Sequence, residues 1–108
     1  MRAPENAIKS QFATDDVEGY IFDGADGNQL IIWQCKVAGV SNEHVHDFDE
    51  YLFVIEGEYT TIADGKSIAL KTGEEFLIPK GQAHSGTFIA GTRTVHAFGG
   101  KRAERAFL

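Results

Sequence analysis

The feature that most constrains this chain is the stretch at residues 39–57, which reads GVSNEHVHDFDEYLFVIEG. It places two of the four histidines, His44 and His46, on either side of Val45, with Glu50 four residues further on. Because side chains alternate between the two faces of a strand, a single strand here points both imidazoles the same way. Glu50 can then reach the same point, so the spacing predicts that three polar side chains meet.

An apolar run follows this cluster directly. Residues 51–55 read YLFVI, a composition typical of a strand that is buried on both faces. Gly57 comes just after the run and permits a turn, because glycine tolerates backbone conformations that other residues avoid. We therefore expect a buried strand that ends at a turn.

A hairpin is predicted next. Residues 58–63 and 66–70 flank the Asp64-Gly65 pair, which a tight two-residue hairpin turn prefers because both central positions need positive φ. The following stretch, residues 73–84, reads GEEFLIPKGQAH and ends on a third histidine, His84. The hairpin is expected to bring the His84 strand back beside the first two histidines.

The two histidine-containing stretches resemble the signature motifs of the cupin family. The first motif is Gly, five residues, His-x-His, three or four residues, Glu, six residues, Gly, and it is matched at Gly39, His44, His46, Glu50 and Gly57. The second is Gly, five residues, Pro-x-Gly, two residues, His, three residues, Asn, and it is matched at Gly73, Pro79, Gly81 and His84. Only the final asparagine departs, because Phe88 stands there, which predicts a more apolar contact at that position.

The resemblance implies an all-β fold, the double-stranded β-helix or jelly-roll barrel, built as a single cupin domain over residues 1–108. Further strands are predicted near residues 8–12, 17–22, 29–37 and 92–98, with a turn over residues 23–28. Twelve glycines among many short strands, and no amphipathic helical period, agree with an all-β sandwich or barrel. A chain of 108 residues has room for one modest core.

The resemblance also implies one divalent transition metal ion inside the barrel, held by His44, His46, Glu50 and His84. Three neutral imidazoles and one carboxylate leave a divalent ion net positive, so the site should receive an anion, water or an oxygen species. Fe, Mn, Co, Ni, Cu and Zn all suit such ligands, and the sequence does not choose among them. Glu50 is either a ligand, a base, or a carboxylate that orients a histidine.

Cupins with this ligand set include dioxygenases, lyases and isomerases, so the resemblance implies a small metal-dependent enzyme acting on a small molecule in the barrel. Glu50 and His96 are the candidate acid/base residues, although His96 matches neither motif and is equally explained as an ordinary histidine on the last strand. The alternative is a non-catalytic module that binds or senses a small metabolite. A structural zinc site is a third option.

Charge and composition bear on partners and location. Sixteen acidic residues outnumber ten Lys and Arg, which disfavours a nucleic-acid or anionic-membrane surface. The tail at residues 101–105 is interpreted as a solvated face or a strand end rather than a nucleic-acid patch. The N-terminal residues show neither a secretion signal nor a membrane span, so a cytoplasmic location is the default expectation. The one cysteine, Cys35, is interpreted as a buried strand residue rather than a reactive thiol or a soft metal ligand.

A homodimer is the remaining expectation. If side chains alternate along residues 51–55, then Tyr51, Phe53 and Ile55 lie on the face opposite Glu50. Burying that face requires either the other sheet or a partner chain, and small cupins commonly pair through such a face.

Overall fold

The computed structural model describes residues 7–8 and 17–102, and within them the chain forms nine strands in two antiparallel sheets. The strands are β1 (Val17–Asp23), β2 (Gln29–Cys35), β3 (Gly39–His44), β4 (Glu50–Glu56), β5 (Glu58–Ala63), β6 (Lys66–Lys71), β7 (Glu75–Ile78), β8 (His84–Phe88) and β9 (Thr92–Phe98). One sheet has the order β1-β2-β9-β4-β7 and the other β3-β8-β5-β6. This confirms the predicted all-β jelly-roll class.

The hydrophobic core lies between the inner faces of the two sheets. Leu52 and Val54 of β4 are fully buried and pack with Leu70 of the four-stranded sheet. Tyr51 and Phe53, which alternate with them, are 42% and 36% exposed. The prediction that this strand is buried on both faces is therefore wrong, because in the described part of the chain no second layer covers the outer side of its sheet.

The predicted hairpin is confirmed. Strands β5 and β6 are joined by Asp64 and Gly65, whose φ angles are 52° and 70°, as a two-residue turn of this kind requires. On its other side β5 pairs with β8, which in turn pairs with β3 and sets His84 opposite His44. The hairpin thus returns the third histidine to the first, as expected.

The prediction that His44 and His46 share one strand is wrong. Strand β3 ends at His44, and His46 lies in the loop that leads to β4. The reason is topological: β3 belongs to the four-stranded sheet and β4 to the five-stranded sheet, so the chain must leave the first sheet between them. A register shift between Ser41 and His44 already disturbs the β3–β8 ladder before this crossing.

The other predicted elements are largely confirmed. The strands expected near residues 17–22, 29–37 and 92–98 appear as β1, β2 and β9, and a short 3-10 turn, Ala25–Gly27, occupies the predicted turn. Of the strand expected over residues 8–12, only the start is described: the Ile8 amide donates a hydrogen bond to the Gly19 carbonyl at 3.0 Å, and residues 9–12 lie outside the described residues.

No helix within residues 7–8 and 17–102 is long and apolar enough to cross a membrane.

The turn at Gly57 generates a stability prediction. Gly57 has a φ of +84°, and an added Cβ would lie 2.8 Å from the Cα of the buried Thr92. We expect Gly57→Ala to lower the free energy of unfolding by about 2–4 kcal/mol, because backbone strain and overpacking add. Gly65→Ala is the matched control, since φ there is +70° but nothing lies within 4 Å of the added Cβ; its cost should be about 1 kcal/mol.

Urea unfolding of the two variants and the parent, followed by circular dichroism, measures this difference. Equal losses in Gly57→Ala and Gly65→Ala would contradict the close approach of Gly57 to Thr92.

Candidate metal centre

Four side chains converge where the two sheets meet at one end of the barrel. His44 ends β3, His46 follows it in the loop, Glu50 begins β4 and His84 begins β8. One potential ligand atom from each residue lies within 4.8 Å of all the others. Ligands on opposite sides of an ion, with bonds of about 2.1 Å, are about 4.2 Å apart, so small side-chain adjustments bring the set into range. The structure therefore brings together all four predicted ligands.

Backbone carbonyls fix the tautomers of two of these histidines. The Nδ1 of His44 lies 2.7 Å from the Asn42 oxygen, and the Nδ1 of His84 lies 2.9 Å from the Gln82 oxygen. A carbonyl oxygen only accepts hydrogen bonds, so each Nδ1 carries the proton and each neutral ring presents the Nε2 lone pair. Neutral imidazoles held in this way are the form that binds a metal.

The atoms that face one another in the cluster have no hydrogen-bond partner. Glu50 Oε1 lies 3.2 Å from the Nε2 atoms of both His46 and His84, yet all three atoms are buried and unpaired within the described residues. The His84 Nε2 and the carboxylate oxygen both present lone pairs, which repel each other. Each unsatisfied buried polar atom costs about 1–3 kcal/mol. A cation among them would satisfy every one, so the donor set fits a metal ion.

The charges in the cluster also suit a cation. Burial alone would raise the pKa of Glu50, but hydrogen bonding, which includes the bond that His96 Nδ1 donates at 2.8 Å, outweighs it and holds that pKa well below its usual range. Glu50 is therefore ionised at neutral pH, the form that coordinates metal. Burial is the main cause that lowers the pKa of His44, which further favours its neutral form.

His96 holds the other oxygen of the Glu50 carboxylate. Its Nδ1 lies 2.8 Å from Glu50 Oε2, and its Nε2 lies 3.0 Å from Thr94 Oγ1. An ionised carboxylate only accepts, so Nδ1 donates to it, and in the neutral ring Nε2 then accepts the Thr94 hydroxyl. Fixing Oε2 directs Oε1 toward the cluster. Because both ring nitrogens are engaged, the geometry favours a positioning role for His96 over proton exchange with a ligand.

Thr94 was missed by sequence reasoning. Together with Thr92, His96 and Phe98 it forms the inward-facing set of β9, each with 5% exposure or less. On a predicted strand, the two-residue spacing of Thr94 and His96 is the sequence signal that could have identified them as neighbours on one face, and the structure shows the matching alternation of buried and less buried residues.

Aromatic rings surround the cluster. The Phe48 ring stacks on His46 at a centroid distance of 4.9 Å with an interplanar angle of 8°. Phe88, which replaces the asparagine of the second motif, stacks on Tyr59 at 6.3 Å and lies close to Gly39, where an added Cβ would come within 2.9 Å of its ring. The more apolar contact expected at Phe88 is thus present, between neighbouring strands.

Cys35 takes no part in the cluster. It is a free thiol on β2 with 4% exposure, and burial raises its pKa to about 11. A neutral, buried thiol is a poor nucleophile and a poor metal ligand. This agrees with its interpretation as a buried strand residue.

Comparison with known proteins agrees with this architecture. Residues 32–98 match the family model of the cupin domain. The fold is similar to that of KdgF from a Halomonas species, at 16% identity with 82% of this chain and 83% of that chain covered, TM-score 0.74. An RmlC-like cupin from Shewanella frigidimarina is 18% identical, with 84% and 80% covered and a TM-score of 0.73.

The EutQ protein of Clostridium difficile is also similar, at 19% identity with 92% of this chain and 76% of that chain covered and a TM-score of 0.64. Such identities speak to the fold alone. No protein with a curated description matches the chain.

The contact between His96 and Glu50 generates a prediction about metal affinity. His96→Phe keeps a ring in the space but removes both hydrogen bonds, so Glu50 Oε2 loses its donor. We expect this variant to bind a divalent ion such as Zn²⁺ about 10- to 100-fold more weakly than the parent, as when other outer partners of metal ligands are removed. Competition with a chromophoric chelator measures the change.

His96→Asn is the control, because its amide can replace the Nδ1 donor, and it should retain most of the affinity. Equal affinities for His96→Phe and the parent, with circular dichroism showing both folded, would contradict the positioning role.

Proposed function

Because the chain belongs to the cupin family, we propose that it is a small metal-dependent enzyme of the dioxygenase, lyase or isomerase type, acting on a small molecule inside the barrel. One observation carries this proposal. The Nε2 atoms of His46 and His84 and the Oε1 atom of Glu50 are buried, face one another and have no hydrogen-bond partner within the described residues. Such a group of electron-pair donors calls for a cation.

His44, His46, Glu50 and His84 would hold one ion of Fe, Mn, Co, Ni, Cu or Zn. When bound, such an ion supplies Lewis-acid chemistry, and a redox-active one also supplies oxygen chemistry. The chain's own part is to fix the neutral tautomers of His44 and His84 and to exclude water from the buried side of the cluster. If Glu50 leaves the ion during the reaction, its carboxylate is the candidate base.

A small molecule reaches the cluster from the His44 side. Glu50 and His84 are each 4% exposed and His46 is 9% exposed, whereas His44 is only partly buried. Access from one side suits a small ligand. The net charge of -6 supports a small molecule over a nucleic acid or an anionic membrane as the partner.

The second candidate function is a non-catalytic module that binds or senses a metabolite. The contacts of His96 and Tyr59, the two groups near the cluster that could transfer a proton, favour it. His96 uses both ring nitrogens in hydrogen bonds with Glu50 and Thr94. The Tyr59 ring lies 5.8 Å from His96, and burial raises the pKa of Tyr59 to about 12. His96 therefore has both ring nitrogens engaged by its neighbours, and the Tyr59 phenol keeps its proton near neutral pH.

Turnover separates these two functions. Metal-loaded protein, screened against small carboxylic, hydroxy and enolic acids with and without dioxygen, should form several equivalents of product per chain. His44→Ala should lower the rate by at least about 100-fold, because a missing ligand weakens or removes the ion. Ile62→Ala, on the exposed face of β5, is the control and should match the parent. Saturable binding without product would contradict the enzyme and support the binding module.

We also propose that the protein is a homodimer that pairs through the outer face of the five-stranded sheet. A row of mutually paired apolar residues crosses all five strands there: Phe22, Leu30, Ala97, Tyr51 and Leu77. The row lines a shallow groove of about 470 Å³. The five residues of the row are themselves uncharged, although Asp23 and Asp49 also line the groove, so the row offers two chains of net charge -6 an apolar surface to pair through.

The dimer predicts a single species with twice the mass of one chain in size-exclusion chromatography with light scattering. Leu77→Glu, at a side chain that is 50% exposed, should shift this species to the monomer, because it buries a charge in the apolar row. Ile62→Glu, at 38% exposure on the other sheet, should leave the dimer intact. A parent that is monomeric at tens of micromolar contradicts the proposal.

A further inference from the structure

The His46 loop, residues 45–49, joins β3 to β4 and carries the one predicted ligand that lies outside the strands. The other three ligands each occupy the first or last residue of a strand, so strand pairing sets their positions. A carbonyl oxygen two residues earlier in the chain also holds the Nδ1 atom of His44 and that of His84. Within the described residues no carbonyl holds the His46 ring in this way, and the ring stacks on Phe48 instead. The position of His46 therefore depends on what holds its loop.

The turn between β7 and β8 holds the His46 loop. The Gly81 amide donates to the His46 carbonyl oxygen at 3.0 Å, and the Lys80 amide donates to Asp49 Oδ1 at 2.8 Å. The second bond is charge-assisted, because its acceptor is a carboxylate, and such bonds are stronger than those between neutral groups. The same turn leads into His84 at the start of β8. The two bonds therefore tie together the segments that carry two of the predicted ligands.

The segment that follows β9 also holds the His46 loop. The Gly99 amide donates to the Asp49 carbonyl oxygen at 2.9 Å. The Arg102 amide then donates to the side-chain oxygen of Gln29 at 2.6 Å, and Gln29 is only 5% exposed, so this segment is anchored to the five-stranded sheet. Arg102 is only partly exposed, so at this position the tail is not a solvated face, and residues 103–105 lie outside the described residues.

Asp49 is the residue at which these two sets of contacts meet. Its side-chain oxygen accepts the Lys80 amide and its carbonyl oxygen accepts the Gly99 amide. These bonds fasten the loop at the residue just before Glu50 and three residues after His46. We propose that Asp49 is a positioning residue of the metal centre, which holds the His46 loop so that the His46 ring meets the other predicted ligands.

This inference rests on the proposed function, because it needs an ion at the cluster, and it adds a residue to the site. Asp49 occupies a variable position of the first motif, so the resemblance assigns it no role. Asp47 offers a comparison within the same loop. Its carboxylate lies 3.3 Å from Lys80 Nζ, but the Asp47 side chain is 92% exposed, and an exposed ion pair of this kind contributes little. The two carboxylates therefore separate the effect of the Lys80 amide bond from the effect of charge.

The turn offers a second way to break the same bond. The Gln82 amide donates to the Pro79 oxygen at 3.1 Å and Gly81 has a φ of +83°, as in a type II turn with Lys80 at its second position. Proline suits that position and has no amide hydrogen. Lys80→Pro therefore keeps the turn and removes the donor to Asp49.

Binding of Co²⁺ tests the proposal with two readouts. Competition with a chromophoric chelator measures the affinity, and the visible absorption of bound Co²⁺ reports the number and geometry of its ligands. We expect Asp49→Ala and Lys80→Pro each to weaken Co²⁺ binding at least about tenfold, as the loss of other outer partners of metal ligands does, and to change the spectrum, because His46 is no longer held in place. Asp49→Asn should keep the parent's affinity and spectrum, since its amide oxygen still accepts the Lys80 amide.

Two further variants are controls. Asp47→Ala removes the same charge from the same loop, and Lys80→Ala breaks the exposed ion pair but keeps the backbone amide. Both should bind Co²⁺ like the parent and give the parent's spectrum. Retained binding in Asp49→Asn would likewise show that the lost charge is not the cause.

Circular dichroism establishes that each variant is folded, and if Asp49→Ala is not, Lys80→Pro decides. The parent's affinity and spectrum in a folded Asp49→Ala or Lys80→Pro overturn the proposal. So does lowered stability to urea with an unchanged Co²⁺ spectrum, because Asp49 would then support the fold alone, and so does an equal loss of affinity in Asp47→Ala. A parent that binds neither Co²⁺ nor another divalent transition metal refutes the proposed function, whereas a metal-binding parent with unaffected variants refutes only the role of Asp49.

Discussion

The Glu50 carboxylate, buried at the junction of the two sheets, is the group on which the rest of the site depends. It is 4% exposed, and ionised carboxylates survive such burial only when other groups compensate their charge. His96 supplies a hydrogen bond to one oxygen at 2.8 Å. The other oxygen meets His46 and His84 but forms no hydrogen bond with either. The fold thus satisfies half of the carboxylate and leaves the other half for a cation.

This arrangement couples the site to the architecture. His44 and His84 belong to the four-stranded sheet, whereas Glu50 and His96 belong to the five-stranded sheet. An ion held by both sets would bridge the two layers at one end of the barrel, while Leu52, Val54 and Leu70 hold them together elsewhere. Metal binding to the native state alone would also stabilise the fold by mass action.

Most of the strands and all four candidate ligands could be predicted from the sequence, because the patterns that indicate them lie within short stretches of the chain. The Asp64-Gly65 turn fixes the register of the β5–β6 hairpin, and the pairings of β8 with β5 and with β3 then place His84 beside His44. The ligand residue types and their spacing are likewise local. In contrast, the position of His46 depends on the crossing between sheets, and the one-sided burial of β4 depends on what covers its outer face. Neither the position of His46 nor the one-sided burial of β4 can be predicted from a short stretch of sequence.

Two long-range contacts near this end of the barrel were the hardest to foresee. His96 is 46 residues from Glu50, and Arg102 is 73 residues from Gln29, so neither contact follows from spacing along the chain. Both arise because β9 lies between β2 and β4 in the sheet. That order places His96 beside the strand of Glu50 and lets the segment after Phe98 cross to Gln29. Strand order is a property of the whole fold.

The central claim is that the four-residue cluster holds a metal ion. Elemental analysis tests it most directly, on protein purified anaerobically without added metal or chelator, beside a His44→Ala/His84→Ala variant. The account predicts about one equivalent of a divalent transition metal per chain in the parent and none in the folded variant. A parent that carries no metal, and binds none when Fe²⁺, Mn²⁺, Co²⁺, Ni²⁺, Cu²⁺ or Zn²⁺ is added, would contradict it.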